Sequence, residues 1–176
     1  MNRLQQLGAF DTRAFHWCNL HARSVPILTG SRWLSRLGDG SAYLLLGIGL
    51  AVWEETRGID FLQAGLLAYA IELPLYRLLK NSIRRARPCH CIAGFQAAIE
   101  PADTFSFPSG HTAAAFVFAM LIAEFYPALI IPGFLLAALV GAARVMLGVH
   151  YPTDIAAGAV LGVATATLGL QLWALY

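Results

Sequence analysis

The chain has 176 residues, of which 58% are hydrophobic and only 12% are charged, and its formal net charge is +2. Soluble domains carry about 25% charged residues, so this composition excludes an ordinary water-soluble globular protein and indicates an integral membrane protein. The small net charge gives no sign of a nucleic-acid-binding surface. Residues 1–176 are expected to form one membrane-embedded domain, with an N-terminal segment at 1–32 and the polar motifs within 80–154.

The N-terminal segment, residues 1–32, mixes polar and apolar side chains. It lacks the continuous apolar core and the small-residue cleavage site of a signal peptide. Several large apolar side chains are available to face lipid, so the segment is predicted to be a helix that lies in the membrane interface. These side chains are Leu4, Leu7, Phe10, Phe15 and Trp17.

Five apolar segments follow, at the length needed to cross about 30 Å of hydrocarbon. They are residues 33–53, 59–79, 109–126, 128–149 and 152–176. The first contains Asp39 and has a short uncharged core, and the second contains Pro74, which is predicted to kink it. The predicted fold is therefore all-α, a polytopic bundle of about five to six transmembrane helices with an N-terminal interfacial helix.

With five crossings, the ends of segments two and four and the starts of segments three and five lie on the same membrane face. The unusual polar residues all fall at these four ends. A loop at 81–108 joins segments two and three, and loops of this length are more often functional than connective. On the last segment, Gly158, Gly162 and Ala166 are four residues apart, a spacing that favours close helix packing in lipid.

The first polar motif runs from Lys80 to Pro88 and is rich in arginine. If the second helix continues to Arg87, the side chains of Lys80, Arg84 and Arg87 share one helical face, and Pro88 ends the helix. Such a cationic stripe suits a phosphate group, since arginine offers forked donors and lysine a point charge. The alternative is a basic flank that is attracted to anionic lipid headgroups.

The second motif, residues 107–112, precedes a strongly apolar segment. Ser109 is placed as a helix N-cap, and Gly110 allows another atom to approach the backbone closely. The free N–H groups of the first helical turn form a site for an anion, into which His111 is expected to point. The alternative is an ordinary cap with an interfacial histidine.

The third motif joins Arg144, His150 and Asp154. An arginine within an apolar helix usually marks a functional interior. Pro152 fits the first turn of the fifth helix, so Asp154 stands near the third position and its carboxylate can reach back to His150. A carboxylate on one ring nitrogen leaves the other free as a nucleophile. The alternative is a capped helix with an incidental histidine.

Three cysteines, Cys18, Cys89 and Cys91, allow more than one interpretation. Cys89 and Cys91 flank His90, which suggests a metal ligand set. Zinc-binding pairs are normally two to four residues apart and no second pair follows, so unpaired thiols, or one bridge to Cys18, are favoured and no metal is expected.

Together the motifs Lys80-x6-Arg87-Pro88, Pro108-Ser109-Gly110-His111 and Arg144-x5-His150-x3-Asp154 resemble the signature of the type 2 phosphatidic acid phosphatase family. The resemblance is to its membrane lipid phosphatase branch, which includes bacterial phosphatidylglycerophosphate and undecaprenyl diphosphate phosphatases. The family also includes soluble vanadium haloperoxidases and acid phosphatases, but this chain is too apolar to be one of those. One position departs from the pattern: Ala143 replaces the usual serine, which leaves the phosphate one hydroxyl donor short.

The resemblance implies a role for each residue of the motifs. Five would bind the phosphate: Lys80, Arg87, Ser109, Gly110 and Arg144. His150 would attack phosphorus, Asp154 would support the imidazolium that forms, and His111 would protonate the leaving group. Arg84 is a candidate headgroup contact. No cofactor is expected, because cationic side chains neutralise the phosphate charge.

The implied function is metal-independent dephosphorylation of a membrane lipid through a phosphohistidine. Candidate substrates are undecaprenyl diphosphate, phosphatidylglycerophosphate and phosphatidic acid. A phosphotransferase that passes the group to a second lipid is the alternative within the same fold, and a non-enzymatic membrane protein is the alternative outside it. The sequence does not discriminate among oligomeric states.

Two indications of which side of the membrane the site faces are in conflict. The resemblance implies an inner (plasma) membrane protein whose site faces the extracytoplasmic side. However, the predicted topology puts all of the 12 lysines and arginines except Arg57 on the site side. The positive-inside tendency therefore favours a cytoplasmic site.

Overall fold

The structure is a computed structural model that describes residues 3–22 and 24–175, with side chains at 8–20 and 24–175. The described residues form eight α-helices, and their only strand-like pairing is one bridge between Ala86 and Phe105. The helices are α1 (Arg3–Ala22), α2 (Val25–Leu37), α3 (Gly40–Trp53), α4 (Arg57–Ile83), α5 (Pro88–Cys91), α6 (Gly110–Phe125), α7 (Ile130–Met146) and α8 (Pro152–Trp173).

The prediction of an all-α membrane bundle is confirmed. Residues 57–83, 127–146 and 152–173 form helices that are long and apolar enough to cross a membrane, and α3 and α6 are shorter apolar helices. Helix α6 packs against α8, α7 and α4, while α3 packs against α4. Large apolar side chains such as Leu45, Val52 and Ile131 remain exposed on the outside of the bundle, as expected of surfaces that face lipid.

The predicted segments correspond to helices with two differences. Segments 59–79, 109–126 and 152–176 coincide closely with α4, α6 and α8. Segment 33–53 is not one helix, because the chain breaks at Gly38 and Asp39 between α2 and α3. Segment 128–149 begins with a short 3-10 turn at Pro127–Leu129 and becomes α-helical only at Ile130.

Small residues on α8 allow its close packing, as predicted. A Cβ atom on Gly158 would lie 2.5 Å from the carbonyl oxygen of Ser109, and one on Gly162 would lie 2.3 Å from that of Ala113. Ala166 is fully buried in the core between α4, α6 and α8. Helix α8 therefore fixes the first turn of α6, which carries the second motif.

Helix α1 differs from the prediction at one of its apolar residues. Phe10 and Trp17 are exposed, as an interfacial helix requires, whereas Leu4 and Leu7 lie outside the described side chains. Phe15 does not face lipid: it is fully buried against Val145 and Tyr151. One face of α1 therefore docks on the segment between α7 and α8 that carries the third motif.

The predicted extension of the second helix to Arg87 is wrong. Helix α4 ends at Ile83, and Arg84 adopts a left-handed conformation with φ of 50°. The side chains of Lys80, Arg84 and Arg87 therefore do not form one helical stripe. Arg84 is exposed and donates to the carbonyl oxygen of Asn81, while the turn directs Arg87 into the interior, where it is 1% exposed.

Candidate active site

A cavity of about 460 Å³ lies between α3, α4 and α6 and reaches Arg144 near the end of α7 and His150 just before α8. Its polar lining includes Lys80, Arg87, Asp103, His111, Arg144 and His150. Its apolar lining includes Leu44, Phe61, Leu66, Phe118 and Leu121. Phe61 and Lys80 are 19 residues apart on α4, about 28 Å at 1.5 Å per residue. The cavity therefore joins a charged end to a mostly apolar channel, whose lining also includes Glu72. Together the two parts extend almost as far as the hydrocarbon layer is thick.

Lys80 and Arg87 face the cavity and share one carboxylate. Asp103, from the loop between α5 and α6, accepts from Lys80 Nζ at 2.7 Å and from Arg87 Nη2 at 2.6 Å. Tyr76 also donates to it at 2.8 Å. Burial raises the pKa of Asp103, but hydrogen bonds from Lys80 and Arg87 outweigh it and lower the pKa to about 2. The carboxylate of Asp103 is thus already paired with Lys80 and Arg87, the cations that the sequence predicts to bind phosphate.

His150 lies at the base of the charged end and is 1% exposed. Its Nε2 atom is 3.3 Å from Arg87 Nη1, which also donates to the carbonyl oxygen of Val149 at 2.6 Å. Burial, assisted by the charge of Arg87 and opposed by Asp154, lowers the pKa of His150 to about 4. At neutral pH the imidazole is therefore uncharged and has a lone pair, as a nucleophile requires.

Asp154 stands at the third position of α8, as predicted, and is fully buried. Its Oδ2 accepts from the backbone N–H of Tyr151 at 2.8 Å and is 3.6 Å from Nδ1 of His150. That nitrogen has no hydrogen-bond partner among the described residues. Arg85 pairs with the other oxygen, Oδ1, at 2.8 Å. The carboxylate is thus held on the side of the ring opposite to Arg87.

Arg144 is 3% exposed near the end of α7 and also lines the cavity. Its Nη1 donates to Ser35 Oγ of α2 at 2.6 Å, whereas its Nε has no partner among the described residues. A buried N–H without an acceptor is unfavourable. Ser35 was not predicted: nothing in the sequence distinguishes it from other serines in an amphipathic segment.

His111 lies in the first turn of α6 and lines the same cavity. Its Nε2 is 2.9 Å from Oδ1 of Asp39, the residue at the break between α2 and α3. The sequence singled out Asp39 only as a charge within an apolar segment, and it did not indicate this partner.

Ser109 and Gly110 begin α6 as predicted, but the cavity lining includes only Gly110. Ser109 Oγ accepts from the backbone N–H of Thr112 at 3.4 Å and from its hydroxyl at 2.9 Å, so the serine acts as the N-cap. A Cβ atom on Gly110 would lie 2.8 Å from the ring of Tyr76. The close approach that the sequence predicted at Gly110 is therefore made by the ring of Tyr76.

Arg84 and the three cysteines do not join the cavity. Cys18, Cys89 and Cys91 are unpaired thiols, and the described residues contain no cluster of three or more potential metal ligands.

Comparison with known proteins gives a family and several relatives. A family model described as the PAP2 superfamily matches residues 61–175. The chain is 34% identical over 137 residues to decaprenylphosphoryl-5-phosphoribose phosphatase of Mycolicibacterium smegmatis, covering 75% of this chain and 71% of the relative. It is 30% identical over 179 residues to phosphatidylglycerophosphatase B of Bacillus subtilis, covering 88% and 83%.

Two solved structures are similar to this one. The crystal structure of LpxE from Aquifex aeolicus superposes with a TM-score of 0.79 at 26% identity, covering 91% of this chain and 94% of that one. The crystal structure of a transmembrane PAP2-type phosphatidylglycerolphosphate phosphatase from Bacillus subtilis gives 0.76 at 27% identity, covering 95% and 86%.

Proposed function

The chain belongs to the PAP2 superfamily, several of whose members are named as phosphatases of lipid phosphates, and on this premise we propose that it dephosphorylates a membrane lipid through a phosphohistidine on His150. The observation that supports this is the convergence of three cations and two histidines on one cavity that continues as an apolar channel. A phosphate at the charged end leaves room for the tail of its lipid in the channel.

The phosphate is held by Lys80, Arg87 and Arg144, whose charges stabilise the equatorial oxygens as the P–O bond breaks. The unpartnered Nε of Arg144 supplies one donor. The backbone N–H of Gly110 adds a donor at the start of α6, and Ser109 supports this turn as the N-cap. No metal ion takes part in this proposal, since the side chains supply the positive charge.

The phosphoryl transfer begins when Nε2 of His150 attacks phosphorus in line with the leaving oxygen. The ring becomes positive as the P–N bond forms, and Asp154, 3.6 Å from Nδ1, stabilises that charge. His111 gives a proton to the leaving oxygen as the P–O bond breaks. Water then attacks the phosphohistidine and gives a proton to His111, while the P–N bond breaks and its electron pair returns to Nε2 of His150. This releases inorganic phosphate and restores both histidines.

The test is phosphate release by the purified protein in detergent micelles that contain EDTA. The substrates are phosphatidic acid, phosphatidylglycerophosphate, undecaprenyl diphosphate and a prenylphosphoryl phosphopentose of the kind in the relatives' name. We expect His150→Ala to lower release on the preferred lipid by about 1,000-fold or more. His90→Ala is the matched control, because His90 is an exposed histidine on the same face of the bundle.

Full activity of His150→Ala would contradict the proposed nucleophile. Absence of release by the wild-type protein from every lipid would contradict the proposed activity. Mass analysis of the products distinguishes hydrolysis from transfer to a second lipid, because transfer yields a phosphorylated acceptor with little free phosphate.

The proposal includes a plasma-membrane location with the site on the extracytoplasmic side, as the family resemblance implies. The distribution of arginine favours the opposite orientation. Cys91 is exposed in α5 on the site side, so its labelling by an impermeant thiol reagent in intact cells supports an extracytoplasmic site. Labelling only after lysis contradicts it.

A further inference from the structure

The break between α2 and α3 brings a carboxylate to the ring of His111. Asp39 Oδ1 is 2.9 Å from His111 Nε2. A Cβ atom on the neighbouring Gly38 would lie 2.7 Å from Cγ1 of Val140 and 3.3 Å from Cβ of His111. A side chain at position 38 would require Val140 to move, so glycine favours the close approach of this break to α6 and α7. The side chain of Asp39 is 53% exposed even with this contact in place, so its partner His111 is the more buried of the two, at 23%.

The charges around His111 explain what this carboxylate does. The cations Arg144 and Lys80 line the same cavity as His111, and Asp39 is a carboxylate within hydrogen-bond distance of its ring. A histidine that donates a proton must carry that charge until the leaving oxygen accepts it. Without Asp39, no carboxylate from the break between α2 and α3 would offset the positive charges of Arg144 and Lys80 near His111.

We propose that Asp39 is the positioning residue of the proton donor, an inference that rests on the proposed function. The carboxylate accepts from Nε2–H of His111 and fixes the ring so that Nδ1–H faces the leaving oxygen. As the P–O bond breaks, the lipid alkoxide takes the proton from Nδ1. The imidazole is then neutral and still donates from Nε2 to Asp39. Asp39 itself contacts neither the phosphate nor the reacting oxygen in this arrangement.

The dependence of the rate on the leaving group tests this role. An alkoxide needs a proton to leave, whereas 4-nitrophenolate is a weak base and leaves without one. We therefore expect Asp39→Asn to lower kcat/KM for hexyl phosphate by about 30-fold, and for 4-nitrophenyl phosphate by less than about threefold. The ratio kcat/KM is chosen because it excludes the later hydrolysis of the phosphohistidine, a step common to both substrates.

Three further variants make the result specific. His111→Ala should show the same selective loss, and Asp39→Glu, which keeps a carboxylate, should recover part of the hexyl phosphate rate. Glu55→Gln, an exposed acid at the opposite end of the bundle, should change neither rate.

Retained 4-nitrophenyl phosphate activity shows that Asp39→Asn is folded and binds phosphate. An equal loss on both substrates, or no loss on hexyl phosphate, overturns the role of Asp39. That outcome differs from a failure of the proposed function, which shows as an inactive wild-type protein or an active His150→Ala variant.

Discussion

Asp103 places a negative charge between two cations that the proposed mechanism assigns to phosphate binding. Its carboxylate bridges Lys80 and Arg87 in the position that the proposed mechanism gives to phosphate oxygens. With its pKa lowered to about 2, it stays ionised at every pH at which the enzyme would work. Under the proposed mechanism, a substrate would therefore displace an internal anion when the two cations bind it.

Asp103→Asn should consequently strengthen the binding of anions. Removal of one competing negative charge is expected to lower the inhibition constant of orthovanadate by about tenfold. Because Asp103 loses its charge only as the pH falls towards about 2, the ratio between variant and wild type should stay constant from pH 5 to 8. Glu100→Gln is the control, since Glu100 is an exposed acid in the same loop. Unchanged or weaker inhibition of Asp103→Asn would show that Asp103 orients the cations without competing.

The residues of the three motifs were predictable because their spacing along the chain is itself informative. Lys80, Arg87, Arg144 and both histidines converge on the cavity as predicted. Two of their carboxylate partners, Asp103 and Asp39, were harder to predict from the sequence. Asp103 belongs to a loop without periodicity, and Asp39 acquires its role only because a helix break lies against α6.

Helix α1 illustrates how an element outside the motifs supports them. Asp11 is 1% exposed and forms an ion pair with Arg85, and it also accepts from the backbone N–H of Thr153 at 3.1 Å. Arg85 in turn pairs with Asp154. The interfacial helix is thereby linked to the carboxylate behind His150.

Asp11→Asn should weaken the attachment of α1 to Arg85 and Thr153. Its replacement removes one of the two carboxylates that compensate the charge of Arg85, which is expected to cost about 2 kcal/mol of stability. For a chain of this length the midpoint of thermal unfolding in detergent should fall by about 5 °C. Arg13→Gln, an exposed change on the same helix, should leave the midpoint unaltered. An unchanged midpoint for Asp11→Asn would mean that α1 is not held by this network.

Helix existence was easier to predict than helix ends. The apolar runs at α4, α6 and α8 are long, and the caps of α6 and α8 are marked by Ser109 and Pro152. The end of α4 was missed because a left-handed cap is expected of glycine or asparagine, whereas the residue in that conformation is Arg84. The docking of α1 was missed because Phe15 looks the same in sequence whether it faces lipid or protein.

At the scale of the whole molecule, the cavity combines a charged end with an apolar channel. A lipid phosphate likewise combines a charged phosphate with an apolar tail. The charged end is formed by helix ends and a loop, and the channel runs between α3 and α4. Leu44 and Leu66 line the channel and are also about half exposed on the outer surface. We therefore expect the channel to open between these two residues towards the surrounding lipid, so that a tail could enter sideways while the phosphate reaches His150.

A bulky side chain in this channel should distinguish substrates by tail length. Leu44→Trp is expected to lower kcat/KM for a long-chain lipid phosphate by about tenfold, because the indole occupies space that the tail needs. Hexyl phosphate, which is too short to reach far into the channel, should be hydrolysed within about twofold of the wild-type rate. Leu45→Trp is the matched control, since Leu45 is the next residue on α3 but faces outward and does not line the cavity. Equal effects of the two tryptophans on the long-chain substrate would place the tail elsewhere on the bundle.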